Sequence, residues 1–173
     1  MVAGVHRCTG PRFGWERDNW IGLAPQRNGW SADWPAFFEE KRLAPQLELA
    51  RSKGYSFEIP DVKALLDHDP QPSLLHGDLW RGNAGFTAAG PVLFDPAVYY
   101  GDRECDLAMT ELFGGFPRGF SKAYEAELPL PAGYEARKHL YNLYHLLNHL
   151  NLFGAGYLGQ VEAALRLLRD ALQ

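Results

Sequence analysis

The feature that most constrains the fold of this chain is a polar loop followed directly by two short apolar runs. Residues 76–83 read HGDLWRGN, and Asp95 follows twelve residues after the last of them. In between, residues 84–87 (AGFT) and 91–94 (PVLF) are separated by residues 88–90 (AAG). A three-residue connection with glycine is typical of a β-hairpin, because glycine readily adopts the left-handed backbone that such turns need.

This hairpin is expected to bring oxygen-bearing side chains together. Folding the chain about Ala89 places Asn83 opposite Asp95 at the open end, where the α-carbons of opposed residues are roughly 4.5–5.5 Å apart. Asp78 lies on the loop just before them. Asp and Asn also cap ordinary turns, and an isolated His-x-Asp would carry no more meaning than that. The complete spacing, together with the hairpin, favours a functional site.

The spacing is that of a kinase catalytic loop. In such loops an aspartate two residues after a histidine accepts the proton of the hydroxyl group, and an asparagine five residues further on binds magnesium. Asp78 and Asn83 stand at these distances after His76. Asp95 stands where the other magnesium ligand would be, and oxygen ligands suit that ion. The pattern therefore predicts phosphoryl transfer with Asp78 as the base.

Size and composition predict one globular domain that spans residues 1–173. The chain is 46% hydrophobic and 22% charged, which is ordinary for a soluble protein that buries one core. A net charge of −4 argues against nucleic acid or an anionic membrane surface as a partner. No apolar run reaches membrane-spanning length. With two cysteines and no apolar leader, we expect a cytoplasmic protein with free thiols.

The rest of the chain reads as predominantly helical. Asp33 has the position of an N-cap, and a helix should run from there to about Ser52, with Gly54 as its stop and a kink at Pro45. Residues 13–22 have no helical period and read as loop or short hairpin. Further helices are expected after Asp61, where Val62, Leu65 and Leu66 form the buried face, around Leu107 to Phe113, and at about 117–127, 134–152 and 159–172.

Two other patterns have simpler explanations than a ligand site. His145 and His149 are four residues apart on a predicted helix, which is a metal-ligand spacing. However, no glutamate follows His145 as a zinc-protease motif requires. Histidines at the edge of the core explain them better. The glycine pairs at 114–115 and 154–156 lack the strand, helix and lysine of a phosphate loop, so helix ends explain them.

Longer segments around the loop resemble the fructosamine kinase (ketosamine-3-kinase) family. The resemblance lies in HGDLWRGN, PVLFDPAVYYGDRECDLAMTELFGGF, YNLYHLLNHLNLFGAGY and FGWERDNWIGLAPQRNGWSADWPAFFEEKRL, which together extend from about Phe13 to Tyr157. The family belongs to the protein-kinase-like phosphotransferases, as do aminoglycoside and choline kinases. The resemblance implies an α+β, mostly α fold: the C-terminal lobe of a protein-kinase-like fold, with a small β-hairpin at the catalytic site.

The resemblance also implies an activity and its cofactors. Members of the family use ATP and Mg²⁺ to phosphorylate the sugar of ketoamines, either small molecules or adducts on glycated proteins. The phosphorylated adduct is destabilised and the amine is released. Position by position, Asp78 matches the catalytic base, and Asn83 and Asp95 match the magnesium ligands. His76 matches the histidine that braces the loop. Trp80 matches the tryptophan that distinguishes this family's loop and would flank the sugar.

Two further acidic residues match positions that tie the following helix to the catalytic loop. These are Asp102 and Asp106. The resemblance implies structural support for both, with Asp102 as the additional candidate for contact with the substrate.

The family's N-terminal lobe has no counterpart in this chain. That lobe carries a Gly-rich loop, a strand lysine and a helix glutamate that orient ATP, and nothing of the kind precedes residues 6–8. Lys41, Lys53 and Lys63 lie in helical or loop settings and do not replace the missing lysine. We therefore expect a C-terminal lobe alone, as a truncated gene product, as a subunit that an N-terminal lobe on another chain completes, or as a fragment.

Such an incomplete lobe is expected to self-associate through exposed apolar surface around Phe13, Trp15, Trp20 and Ile21. Two alternatives remain open. One is a related kinase that acts on an aminoglycoside or an amino alcohol. The other is a truncated, non-catalytic remnant or partner-binding lobe, which the missing half favours and the intact loop argues against.

Overall fold

The computed structural model describes residues 1–61 and 63–173 and has the expected α+β fold with more helix than strand. Its α-helices are α1 (Val2–His6), α2 (Trp34–Phe38), α3 (Ala44–Ser52), α4 (Lys63–Leu66), α5 (Glu104–Glu111), α6 (Phe120–Glu127), α7 (Tyr134–Phe153) and α8 (Leu158–Ala171). Its strands are β1 (Phe13–Trp15), β2 (Asn19–Ile21), β3 (Ala24–Gln26), β4 (Gly29–Ser31), β5 (Ser73–Leu75), β6 (Ala84–Thr87), β7 (Gly90–Leu93) and β8 (Tyr99–Gly101). Across the described residues, no helix combines the length and the apolarity needed to cross a membrane.

A four-stranded antiparallel sheet joins distant parts of the sequence in the order β4-β1-β8-β5. Tyr100 at its centre pairs with Gly14 on one side and with Leu74 on the other. The expectation of loop or short hairpin for residues 13–22 is therefore only partly correct. A hairpin, β2–β3, does form, but β1 joins the main sheet. Strands of three residues are too short to show a period of two, so the sequence did not reveal this sheet.

The segment from α2 to α3 begins and bends where the sequence indicated. The carboxylate of Asp33 accepts a hydrogen bond of 2.7 Å from the amide of Ala36, as an N-cap does. The irregularity expected at Pro45 takes the form of a π-helical turn between α2 and α3. Proline has no N–H to donate to the carbonyl four residues earlier, and that carbonyl, of Lys41, accepts a hydrogen bond from the Arg42 guanidinium instead.

The remaining helices lie close to their predicted ranges. The helix after Asp61 is short, and its first turn is fixed by a 3.1 Å hydrogen bond from the amide of Lys63 to the Asp61 carboxylate. Leu66 is buried as expected, with 1% of its surface exposed, and Leu65 is half-buried. Val62 was predicted to join this buried face, but it lies outside the described residues.

The main core surrounds α7, which packs against α3, α5 and α8. Leu140, Leu143, Leu147 and Leu150 on its inner face are fully buried. Burial of each such side chain stabilises the fold by about 1.5–3 kcal/mol. Phe13 and Ile21 were expected on an exposed apolar surface, but they belong to this core and are only 6% and 2% exposed.

A second, smaller core lies behind the polar loop. Leu79, which is fully buried, is at its centre and packs with Val2, Leu107, Tyr124 and Tyr134. Because Leu79 directly follows Asp78, this core fixes the backbone that carries the candidate base.

Candidate active site

A cavity of about 550 Å³ opens between the β2–β3 hairpin, the polar loop and the end of α7. Its wall contains Asp78, Asn83 and Asp95, together with Trp80. Small-molecule sites typically enclose about 300–1,000 Å³. A cavity of about 580 Å³ also lies between α5, α6 and the start of α7, but its described wall contains none of these residues. The convergent polar groups, and not the volume, therefore identify the candidate site.

Asp78 occupies a setting that suits a general base. The side-chain amide of Asn83 donates two hydrogen bonds to Asp78, one of 3.1 Å to the carboxylate Oδ2 and one of 3.0 Å to the backbone carbonyl. Burial raises the pKa of Asp78 from 3.8 to about 6. The nearby His76 and the bond from Asn83 oppose this rise, while Asp106 and Asp95 add to it. A carboxylate with this pKa is ionised at neutral pH and still holds a proton well enough to accept one during catalysis.

The hairpin after the loop forms in a different register from the one predicted. Thr87 pairs with Gly90, so the turn has two residues instead of three. Asn83 consequently lies opposite Phe94, whose amide donates a 3.1 Å hydrogen bond to the Asn83 carbonyl, and not opposite Asp95. The predicted Asn83–Asp95 pair was wrong by one residue. Asp95 has a left-handed backbone conformation, with φ of +53°, and it still lines the cavity that contains Asp78 and Asn83.

Asp106 fastens the loop to α5. Its two carboxylate oxygens accept hydrogen bonds from the backbone amides of His76, at 2.7 Å, and Gly77, at 2.8 Å. His6 Nε2 lies 3.1 Å from Oδ2 of Asp106. The other ring nitrogen of His6 is 2.7 Å from the Tyr124 hydroxyl. Burial alone raises the pKa of Asp106, but the hydrogen bond and charge of His6 and the contacts with His76 more than offset it and hold that pKa below its usual range.

His76 and Gly77 connect the loop to the segment around Asp95. His76 Nε2 is 3.0 Å from the carbonyl of Phe94, and its own carbonyl accepts the amide of Ala97 at 2.7 Å. Gly77 has φ of +82°, and a Cβ at that position would lie 2.0 Å from the Ala97 carbonyl oxygen. Only glycine fits there, so the close approach that unites the two polar segments depends on it.

Asp102 is built into a buried network away from the cavity. It is 2% exposed, and its Oδ2 accepts the Tyr141 hydroxyl at 2.5 Å and lies 2.8 Å from His68 Nε2. Neighbouring Glu104 forms a buried two-pronged pair with Arg137 at 2.7 and 2.8 Å. Asp102 is not among the described residues of the Asp78 cavity wall. Asp102 therefore lies in a buried polar network outside the described wall of this cavity, and both roles predicted for it stay predictions.

Part of the cavity wall was missed by sequence reasoning. Trp20 and Leu23 come from the β2–β3 hairpin, and His149 and Phe153 come from the end of α7. Nδ1 of His149 lies 2.8 Å from the carbonyl of His145, which can only accept, so this nitrogen carries the proton. Burial lowers the pKa of His149, and the neutral ring leaves Nε2 free to accept a hydrogen bond. The spacing of His149 from His145 and the apolar character of Trp20 were visible in the sequence, but neither pattern connects these residues to the polar loop, because only the tertiary fold brings them there.

Comparison with known proteins gives consistent matches along the whole chain. The family model "Fructosamine kinase" matches residues 1–171. A Vibrio vulnificus protein named "Probable ketoamine kinase" is 50% identical over 159 residues, which cover 88% of this chain and 55% of that protein. A Synechocystis protein of the same name is 51% identical over 173 residues, which cover 95% of this chain and 59% of that protein.

Solved structures give the same result at the level of the fold. A crystal structure of a "Putative fructosamine-3-kinase" from Haemophilus somnus superposes with a TM-score of 0.87 at 36% identity, covering 99% of this chain and 61% of that chain. A corresponding structure from Thermobifida fusca gives a TM-score of 0.86 at 36% identity, covering 98% of this chain and 62% of that chain. The chain thus spans a little over half the length of these relatives.

Proposed function

Because the chain belongs to the fructosamine kinase family, we propose that it carries the catalytic loop of a kinase that phosphorylates a sugar hydroxyl of ketoamines. The proposed donor is ATP, the proposed metal is Mg²⁺ and the proposed substrates are fructosamine or ribulosamine adducts, free or on glycated proteins. Removal of such adducts in the cytoplasm would be the biological role. The observation that carries this proposal is one cavity that contains the half-buried Asp78 beside Asn83 and Asp95.

In this proposal Asp78 accepts the proton of the attacking hydroxyl group. The loop holds the carboxylate from both sides, through the buried Leu79 that follows it and through the hydrogen bonds that Asp106 accepts from the backbone amides of His76 and Gly77. A rigid base reduces the entropy lost when substrate and base come into line. The raised pKa means that Asp78 is mostly ionised at neutral pH, so proton transfer can begin without prior deprotonation.

The donor set around Asp78 fits a magnesium ion. The amide nitrogen of Asn83 is used by Asp78, which leaves its oxygen as the available ligand, and Asp95 adds a carboxylate in the same cavity wall. Magnesium prefers such oxygen ligands and is usually completed by phosphate oxygens and water. When bound there, the ion would neutralise the charge that develops on the transferred phosphate.

The sugar is proposed to lie between Trp80 and α7. The Trp80 side chain is 37% exposed and can cover one face of the sugar, because indole rings present a flat apolar surface. His149 on the facing helix offers a neutral nitrogen that can accept a hydrogen bond from a sugar hydroxyl.

The experiment is a phosphorylation assay with a 1-deoxyfructosyl-amine and Mg-ATP, with the product identified by mass spectrometry. Since the chain spans just over half of its relatives, the assay uses both the chain itself and the chain joined to the remaining segment of the Synechocystis relative. In whichever protein is active, Asp78→Asn should lower turnover by roughly two to four decades. Asp170→Asn, at an exposed position on α8, is the matched control and should have no effect.

Aminoglycoside and choline serve as competing substrates in the same assay. Phosphorylation of either of them in preference to the ketoamine would refute the proposed substrate. Unchanged turnover in the Asp78 variant would remove Asp78 from the mechanism, and no phosphorylated product with any substrate would refute kinase activity.

A further inference from the structure

The mouth of the candidate active site has an apolar rim that the proposed chemistry does not use. Trp20, Leu23 and Phe153 line the same cavity as Asp78, yet they are 62%, 79% and 60% exposed. Large apolar side chains that cluster around a site and remain exposed commonly mark a binding surface.

The hairpin that carries Trp20 and Leu23 is fixed to the catalytic segment. The Asn19 side chain donates a 2.8 Å hydrogen bond to the carbonyl of Val98, and the Gln26 side chain donates a 3.0 Å bond to the carbonyl of Ala97. Gln26 also donates to Asn19 at 2.9 Å, which closes the network between the two strands. Since residues 97 and 98 follow Asp95 closely, these bonds attach the hairpin to the segment that carries the proposed magnesium ligand.

The exposure of the rim is therefore a property of an ordered element and not of a loose one. Ile21 and Ala24 on the opposite face of the hairpin are buried, at 2% and 4% exposed. Tyr144 of α7 donates a further 3.1 Å bond to Gln26. With one face locked into the core, Trp20 and Leu23 are held outward beside the cavity.

Phe153 forms the other side of the rim. It lies in the last turn of α7, with its ring 5.4 Å from that of His149 and 6.0 Å from that of Tyr157. These contacts orient the phenyl ring while leaving more than half of its surface open to solvent. The cavity is thus polar at its floor, where Asp78 lies, and apolar at its mouth.

We propose that Trp20, Leu23 and Phe153 form a subsite for the amine-derived portion of the ketoamine. This inference rests on the proposed function, because the sugar must occupy the polar floor for the rest of the substrate to reach the mouth. The subsite selects ketoamines whose amine portion is aromatic or a long alkyl chain over those made from small polar amines. The ketoamine nitrogen is a secondary ammonium at neutral pH, and aromatic faces attract such a cation.

The test compares two ligands that share the sugar and differ only in the amine. These are the 1-deoxyfructosyl adducts of benzylamine and of ethanolamine, whose binding to the chain is measured by calorimetry and saturation-transfer NMR. We expect the benzylamine adduct to bind at least about tenfold more tightly, the low end of what a small apolar group contributes to discrimination. Saturation should reach its aromatic protons as well as its sugar protons.

Trp20→Ala should abolish most of this preference while leaving the ethanolamine adduct within about twofold of its original affinity. Leu23→Ser, at a highly exposed turn position that packing does not constrain, should reduce the preference in the same direction. Trp30→Ala is the matched control. Trp30 is 46% exposed on β4 and is not among the described residues of this cavity wall, so its removal should change neither affinity.

The possible failures are distinguishable. If neither the wild-type chain nor the chain joined to the remaining segment of the Synechocystis relative binds an adduct, and no sugar protons are saturated in either protein, the proposed function fails and the subsite fails with it. If both adducts bind but Trp20→Ala and Leu23→Ser leave the preference intact, or weaken both adducts equally, the subsite alone is refuted. Equally tight binding of free benzylamine would show an unspecific apolar patch. Loss of a dimer in the Trp20 variant, with the preference unchanged, would show that this rim contacts a second copy instead.

Discussion

Replacement of Asp78 by asparagine should stabilise the metal-free protein at pH 8 and leave its stability nearly unchanged at pH 4. Burial raises the pKa of Asp78 from 3.8 to about 6, so the folded protein binds this proton more tightly than the unfolded chain does. Ionisation of Asp78 therefore lowers the free energy of unfolding as the pH rises from about 4 to about 6. The penalty is absent below this window and complete above it.

The size of the effect follows from the shift. Each pKa unit corresponds to about 1.4 kcal/mol, so a shift of about two units sets an upper limit of about 3 kcal/mol. Asp78 is only half-buried, and solvent screening reduces the value to about 1–2 kcal/mol. Asparagine retains an oxygen that can accept the hydrogen bond from Asn83, so the substitution removes the charge without breaking that contact.

Urea unfolding, followed by tryptophan fluorescence in buffer with a metal chelator, measures this directly. The difference in the free energy of unfolding between Asp78→Asn and wild type should grow from about zero at pH 4 to about 1–2 kcal/mol at pH 8. The exposed Asp170→Asn should show no such growth. A difference that does not change with pH, or one in which the variant loses stability relative to wild type as the pH rises, would refute the reasoning.

Three further predictions concern the groups around Asp78. Gly77→Ala should destabilise the fold by at least about 1–3 kcal/mol in the same urea assay, because its Cβ would meet the Ala97 carbonyl at 2.0 Å; unchanged stability would contradict this backbone geometry. Asp106→Asn should lower stability by about 1–3 kcal/mol at pH 7, because the buried amide of His76 or that of Gly77 loses its acceptor. This loss should shrink on acidification, since the lowered pKa of Asp106 makes its contribution to stability disappear as the pH falls through that pKa. Asp95→Asn should weaken Mn²⁺ binding, measured by paramagnetic resonance in the presence of ATP, by about tenfold or more, and equal affinity would exclude Asp95 as a ligand.

Several features could be predicted because they depend on residues close in sequence. The Asp33 cap, the bend near Pro45 and the long helix α7 follow from hydrogen bonds and periodicities that span only a few residues. The spacing of Asp78 and Asn83 is likewise contained within residues 76–83. Features that depend on one short segment can be predicted without knowing the rest of the fold.

The register of the β6–β7 hairpin shows where local reasoning reaches its limit. Residues 88–90 suit a three-residue turn, yet Gly90 pairs with Thr87 and belongs to the strand. The two turns differ by one residue and both accept glycine, so composition could not choose between them. That single residue moves Asp95 out of the position opposite Asn83.

The mostly helical α+β fold, the family resemblance and the short polar loop could all be inferred from the residues in order along the chain. The surroundings of that loop could not, because they come from distant segments that meet in the folded protein. Trp20 and Phe153 are far apart in the chain, and they line one cavity because Asn19 and Gln26 fix the β2–β3 hairpin to residues 97 and 98, while Tyr144 of α7 donates a hydrogen bond to Gln26. Asp102 and Asp106 look alike in sequence, but packing places one in a buried network with Tyr141 and the other against the polar loop at residues 76–83. Contacts between distant segments depend on the packing of the whole core, which no local pattern records.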